Sequence, residues 1–101
     1  MIRSTTPVLI FKVDEHFDMS TIRICHITLQ SMDESHTQLY TAPVIDAENH
    51  RIRQTMSQSE TKAFEVGTIK IQLKVKLTSD AVIASKVILT TMSEILEEGE
   101  L

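Results

Sequence analysis

Between residues 69 and 77 the chain alternates without exception: Ile69, Ile71, Leu73, Val75 and Leu77 are apolar, and Lys70, Gln72, Lys74 and Lys76 are polar. Successive strand side chains point to opposite faces, so the pattern predicts a strand with one buried face and one wet face. Thr78-Ser79-Asp80 is a run of turn formers, and residues 81–92 are rich in β-branched side chains. Together these predict a hairpin with a short loop. A hairpin alone is marginal in water, so its apolar face requires a second layer drawn from the chain before it.

That chain supplies further strands. After a polar arm over residues 1–6, Pro7 sets an extended backbone, and Leu9, Phe11 and Val13 share one face of a first strand over residues 8–13. Asp14-Glu15-His16 interrupts it, and Phe17 is expected to anchor the connection to the core. Ile22 and Ile24 fall on even positions, whereas Cys25, Ile27 and Leu29 fall on odd ones, and one regular strand cannot bury both sets. Either Ile22 belongs to the preceding turn, with the strand proper turning Cys25, Ile27 and Leu29 inward, or a bulge near Ile24 resets the phase. Residues 31–36 form a polar hairpin loop leading to a short strand over 38–42, which Pro43 limits. Val44-Ile45 is a candidate strand and residues 46–49 a turn. Residues 51–56 alternate weakly, and Gln54 in the apolar row implies either that this strand lies near an edge or that the row shifts. Ser57-Gln58-Ser59-Glu60 matches the capping box, which predicts one helical turn near residues 58–63, with Phe64 entering the core behind it.

About seven strands, evenly spaced turns and no long helix give the fold class: all-β, an immunoglobulin-like sandwich in a single domain spanning residues 1–101. An α+β roll is the alternative if residues 17–24 or the Ser57 segment form a longer helix. Residues 1–6 and 97–101 are expected to be flexible ends.

Composition narrows the function. The 14 acidic and 10 basic residues give a net charge of −4, which argues against a dedicated nucleic-acid binder. No apolar run approaches the roughly 20 residues of a spanning helix or the core of a signal peptide, so neither a membrane nor export is expected. Cys25 is the sole cysteine and has no internal partner, which suits a reducing compartment.

Candidate chemistry is sparse. His16, His26, His36 and His50 do not reproduce any metal-ligand spacing, and Cys25 alternates with Ile27 and Leu29 as a packed thiol would. Asp14-Glu15, Asp33-Glu34 and Glu97-Glu98 sit beside turns or in the tail, without an apolar pocket to separate their pKa values. No phosphate-binding loop or nucleophile elbow is present, so no catalytic residue, cofactor, metal or small-molecule substrate is expected. The charge pattern suggests contacts instead: Lys70, Lys74 and Lys76 share one face of the central strand, and Glu94, Glu97, Glu98 and Glu100 cluster at the end. Surface lysines and acidic tails are ordinarily just solvated. The segregation nevertheless permits the tail of one copy to meet the lysine face of another.

The start Met1-Ile2-Arg3-Ser4-Thr5-Thr6-Pro7 resembles the Met-Ile-Arg-Gly-Thr-Thr-Pro start of small proteins encoded in prophage structural modules of Gram-positive bacteria. The resemblance continues through Ile22 with Ile27-Thr28, Ser57-Gln58-Ser59-Glu60-Thr61 with Phe64, Ile71-Gln72-Leu73-Lys74-Val75 and Ala84-Ser85. Residues 32–50 depart from it, as does Gln54, where an apolar residue is expected. It implies a non-enzymatic structural or assembly protein, associated with a tail or baseplate and immunoglobulin-like in fold. Its expected partners are other phage structural proteins or further copies of itself, in the bacterial cytoplasm during assembly and then in the virion. A different class of reading is a small binding module for a carbohydrate, a host surface or a regulatory partner. A concave exposed patch around Tyr40 would favour the carbohydrate, and an open, uncharged strand at residues 38–42 would favour strand addition.

Overall fold

A computed structural model describes residues 1–95. Eight strands run through them: β1 (Val8–Lys12), β2 (Ile22–Ser31), β3 (Thr37–Tyr40), β4 (Val44–Asp46), β5 (Arg51–Thr55), β6 (Gly67–Leu77), β7 (Val82–Ala84) and β8 (Ile88–Met92). One short helix, α1 (Gln58–Lys62), and a 3-10 turn at Met19–Thr21 complete the elements. All strand pairings are antiparallel, in a three-stranded sheet ordered β1-β5-β4 and a five-stranded sheet ordered β3-β2-β6-β7, with β8 also on β6. The protein is an all-β sandwich. In the immunoglobulin order the second strand lies with the first, fourth and fifth; here β2 lies between β3 and β6.

The core sits between the sheets. From the larger sheet come Cys25, Ile27 and Leu29 on β2, Tyr40 on β3, and Ile69, Ile71 and Val75 on β6; from the smaller sheet comes Ile52, with Leu9, Phe11 and Val13 packed against it. The alternation over residues 69–77 is therefore the inner and outer face of β6, as its pattern requires. The phase conflict in β2 is resolved by a register shift between Ile22 and Ile24. That bulge lets Ile22 and the Cys25-Ile27-Leu29 row both reach the interior, while Ile24 is exposed. Ile22 thus belongs to the strand and also caps the 3-10 turn.

Three expectations are corrected. The return strand over residues 81–92 is two strands. β7 pairs Val82 with Lys76, and β8 pairs Ile88 with Ile71; the register sums differ by one, so Ser85-Lys86-Val87 acts as a break that changes which residues face inward. β5 is the central strand of its sheet rather than an edge. Gln54 tolerates the position because it is half-buried and its amide donates to the Thr55 carbonyl at 2.9 Å. The third strand begins at Thr37 and ends at Tyr40, before the predicted residue 42.

Residues 1–6 bond to the end of β8 and to α1. Ile2 bridges Ser93 in parallel, the Arg3 amide donates to the Ser93 carbonyl at 3.1 Å, and the Ser93 amide donates to the Met1 carbonyl at 2.6 Å. Ser4 is buried. The Thr5 amide donates to Thr61 Oγ1 at 3.1 Å, and that hydroxyl lies 2.8 Å from the Thr5 carbonyl.

The capping box forms as the sequence predicts. The Glu60 amide donates to Ser57 Oγ at 3.2 Å, and the Ser57 amide donates to Glu60 Oε1 at 2.8 Å. The helix ends at Ala63, which drops Phe64 fully into the core.

Candidate functional site

Lys70, Lys74 and Lys76 all project from the outer face of β6, as the alternation requires, but two of them already have acidic neighbours. Lys70 Nζ lies 3.6 Å from Glu34, and Lys76 Nζ lies 4.0 Å from Asp80, which Arg23 also contacts at 2.8 Å. Lys74 is exposed between His26 on β2 and Ala84 on β7. Glu94 is exposed just past β8. Because Met92 pairs with Gly67, Glu94 lies beyond one end of β6. Lys74 and Lys76 lie toward the other end, roughly 23–30 Å from the Gly67 pair at about 3.3 Å per residue. The fold does not bring Glu94 to these two lysines within one chain, and Glu97 and Glu98 lie outside the described residues.

The other chemistry-bearing side chains are dispersed. Among the described residues no group of three or more His, Cys, Asp or Glu is placed to hold a metal ion. Cys25 is buried, and burial pushes its thiol up to about 11, away from the thiolate that a nucleophile requires. His36 packs edge-on against Phe64 with ring centroids 4.6 Å apart, so it serves the core beneath α1 rather than a loop surface. Tyr40 is also buried, with a hydroxyl that makes no hydrogen bond of ordinary geometry. Burial, and then the Glu60 carboxylate, hold its phenol above its usual range. No sugar-stacking patch can be built on a buried Tyr40.

Asp18, Asp33 and Asp46 each accept bonds from a residue two or three positions on, namely Ser20, Ser35 and Asn49. Those bonds hold the three carboxyls below their ordinary value. All three belong to turns.

The surface feature that stands out is apolar. Val8 and Ile10 on β1 and Val82, Ile83, Val87, Ile88 and Leu89 on β7, β8 and the break between them are each about half exposed. Val8 and Ile10 alternate with the core-facing Leu9 and Phe11 and so face outward from the smaller sheet; Val82 and Leu89 pair with Lys76 and Lys70 on the outer face of the larger sheet, and Ile83 and Ile88 pair with the core-facing Val75 and Ile71. A cleft of about 280 Å³ is lined by Lys12 and Val13 at the end of β1, by Ile83, Ala84 and Ser85, and by Phe17, Ile22, Ile52, Leu73 and Val75 from the interior. The opposite flank is where β4 approaches β2, with Ile45 and Pro43 beside Ile24 and Cys25. Free-standing exposed apolar residues are normal, whereas contiguous apolar surface marks contacts.

Sequence reasoning passed over this flank, although a signal was present. Val8-Leu9-Ile10-Phe11 and Val87-Ile88-Leu89 are unbroken apolar runs, and a strand with an apolar run presents apolar side chains on both faces. With one sheet on one side only, half of each run must face outward.

No helix among the described residues is long and apolar enough to cross a membrane. Comparison with family models, curated proteins and solved structures finds no match to this chain.

Proposed function

We propose that this protein is a non-enzymatic structural or assembly component that works through protein–protein contacts, in keeping with its resemblance to prophage structural-module proteins. The observation that carries this reading is the flank where the end of β1 and β7 close on an apolar cleft that Ile83 lines, with Val8 and Ile10 about half exposed on the outer face of the smaller sheet and Val82, Val87 and Leu89 on that of the larger. A flank of that character lowers its free energy by being covered, at roughly 25 cal/mol per Å² of apolar surface removed from water. The test is quantitative mass spectrometry of particles purified from an induced host, with the wild type and with Leu89→Lys. The reading expects the chain in particles at a fixed ratio to the other subunits, and a large loss of incorporation for L89K. Absence of the wild-type chain from particles and from their assembly intermediates would contradict it.

A second reading, a regulator that binds by strand addition, is favoured by β3. It is an edge strand of the larger sheet, and Thr37, Gln38, Leu39 and Tyr40 carry no charge. An uncharged open edge is a template for an added strand. Because the Ser31 amide donates to the His36 carbonyl, Gln38 and Tyr40 bond to β2 and Leu39 turns its amide outward; Leu39→Pro removes that donor, and loss of partner binding by L39P with L89K unaffected would place the working surface at β3.

A further inference from the structure

We infer that two copies of this chain pair through β1, antiparallel and about a two-fold axis passing beside Ile10. This deepens the contact reading above and rests on it.

The argument starts from which backbone groups β1 leaves open. Among the described residues β1 pairs only with β5, and it is the first strand in its sheet. The Met56 amide donates to the Pro7 carbonyl at 2.9 Å, and the Val13 amide donates to the His50 carbonyl at 2.8 Å. In an antiparallel ladder, alternate residues turn both backbone groups to the same neighbour. Odd-numbered residues of β1 therefore point toward β5, and Val8, Ile10 and Lys12 turn their amides and carbonyls outward. Among the described residues no backbone hydrogen bond reaches those outward groups.

An isologous contact requires a surface that matches itself, and this edge does. Centred on Ile10, antiparallel pairing sets Ile10 opposite its own copy and Val8 opposite Lys12 of the second copy. Every residue so paired is one with outward backbone groups. The three open positions on each strand thus satisfy one another with no donor facing a donor. A shift of one residue would set outward groups against groups already committed to β5.

The side chains agree. On the outer face Ile10 meets Ile10, and Val8 lies along the aliphatic stem of Lys12. On the inner face Leu9 meets Phe11, extending the core row across the axis. The two Lys12 ammonium groups end on opposite sides of the axis, so no like charges are apposed. Beside the end of β1, Ile83 of the larger sheet lines the same cleft and is about half exposed. A five-residue strand pair is small against the interface area that a stable dimer buries, so the pairing is a weak one, populated toward the upper end of the micromolar-to-millimolar range. An edge-strand run of this composition without charge or proline in its middle is otherwise an aggregation hazard. Pairing with a copy of itself removes that hazard by closing the edge.

Because residue 10 faces its own copy, charge substitutions there make a specific test. Ile10→Lys and Ile10→Glu are at an exposed position and leave the core untouched, and circular dichroism establishes that each is folded. Sedimentation velocity of the wild type from micromolar to millimolar concentration is expected to show a dimer. Each charged variant alone is expected to dissociate at least a hundredfold more readily, and an equimolar mixture of the two to recover the dimer as a heterodimer. A wild type that stays monomeric throughout, an I10K variant that remains as dimeric as the wild type, or charged variants that dissociate but do not rescue one another would each overturn the pairing. A strictly monomeric wild type that still enters particles in an L89K-sensitive manner leaves the contact reading standing and removes this dimer.

Discussion

Thr61 is fully buried in a five-residue helix and ties that helix to the start of the chain. Its Oγ1 accepts from the Thr5 amide at 3.1 Å, donates toward the Thr5 carbonyl at 2.8 Å, and lies 3.1 Å from the Gln58 carbonyl. Replacing it by valine keeps the shape and removes the hydroxyl. Two hydrogen bonds to Thr5 are lost, and the partly buried Thr5 amide and carbonyl are left without that partner. A net bond is worth about 1 kcal/mol, and an unsatisfied buried group costs about 1–3 kcal/mol, so T61V should cost about 2–4 kcal/mol. Against a total stability of roughly 5–15 kcal/mol for a chain of this size, that is a large fraction. Thr61→Ser keeps the hydroxyl and removes one buried methyl, which costs about 1 kcal/mol. Urea unfolding followed by far-ultraviolet circular dichroism measures both, and amide exchange at Thr5 reports the local bond. The expected order is wild type, T61S, T61V, with faster Thr5 exchange only in T61V. A T61V variant as stable as the wild type, or less affected than T61S, would refute the view that this hydroxyl pins the first residues to α1.

Three further outcomes follow from the same geometry. Phe64→Ala removes a fully buried ring that also packs edge-on against His36; it should lower stability by about 3–5 kcal/mol, measured by the urea midpoint at unchanged slope. Ser57→Ala removes the cap of α1 and should cost about 1 kcal/mol, with a Glu60→Gln second change adding less than it does alone because the two share the box. The Cys25 thiol is raised from 9.0 to about 11 by burial. Its contribution to stability is therefore complete below pH 9, where it is protonated in both states, and is lost as pH rises toward 11, where the unfolded chain releases the proton first. Stability should fall over that window by an amount of order 2–3 kcal/mol, and Cys25→Ala should flatten the curve there in a pH series of thermal or urea unfolding.

Where one principle dominated locally, the sequence was readable. The period-two row at residues 69–77 gave β6 and its inner face, because a strand buried on one side leaves no other arrangement of Ile69, Ile71, Leu73, Val75 and Leu77. The capping box gave α1 and the burial of Phe64, since Ser57 and Glu60 satisfy each other's backbone without tertiary help. Where two elements had to agree, the reading faltered. Residues 81–92 look like one strand, and only pairing with β6 shows that the register changes at Ser85-Lys86-Val87. Gln54 looked like an edge residue because its own local bond to Thr55 cannot be foreseen from an apolar row. Residues 1–6 carry no apolar periodicity, so their bonds to Ser93 and Thr61 were invisible along the chain. Of the candidate contact residues, the alternation placed Lys70, Lys74 and Lys76 correctly on one face. The pairing of Lys70 with Glu34 and of Lys76 with Asp80 depends on loops whose conformation the pattern does not specify. The exposed apolar side chains were present as two unbroken runs, yet which cleft or face each meets depends on how β1 and β7–β8 stack, which is a property of the topology.

The most direct measurement is amide hydrogen exchange of the protein free at low concentration and again in its assembled state. The account predicts protection gained at Val8, Ile10 and Lys12 and across residues 82–89, with β3 and the outer face of β6 unchanged. Protection gained instead at Thr37–Tyr40, or around Lys70, Lys74 and Lys76 with the β1 flank still exchanging freely, would contradict it.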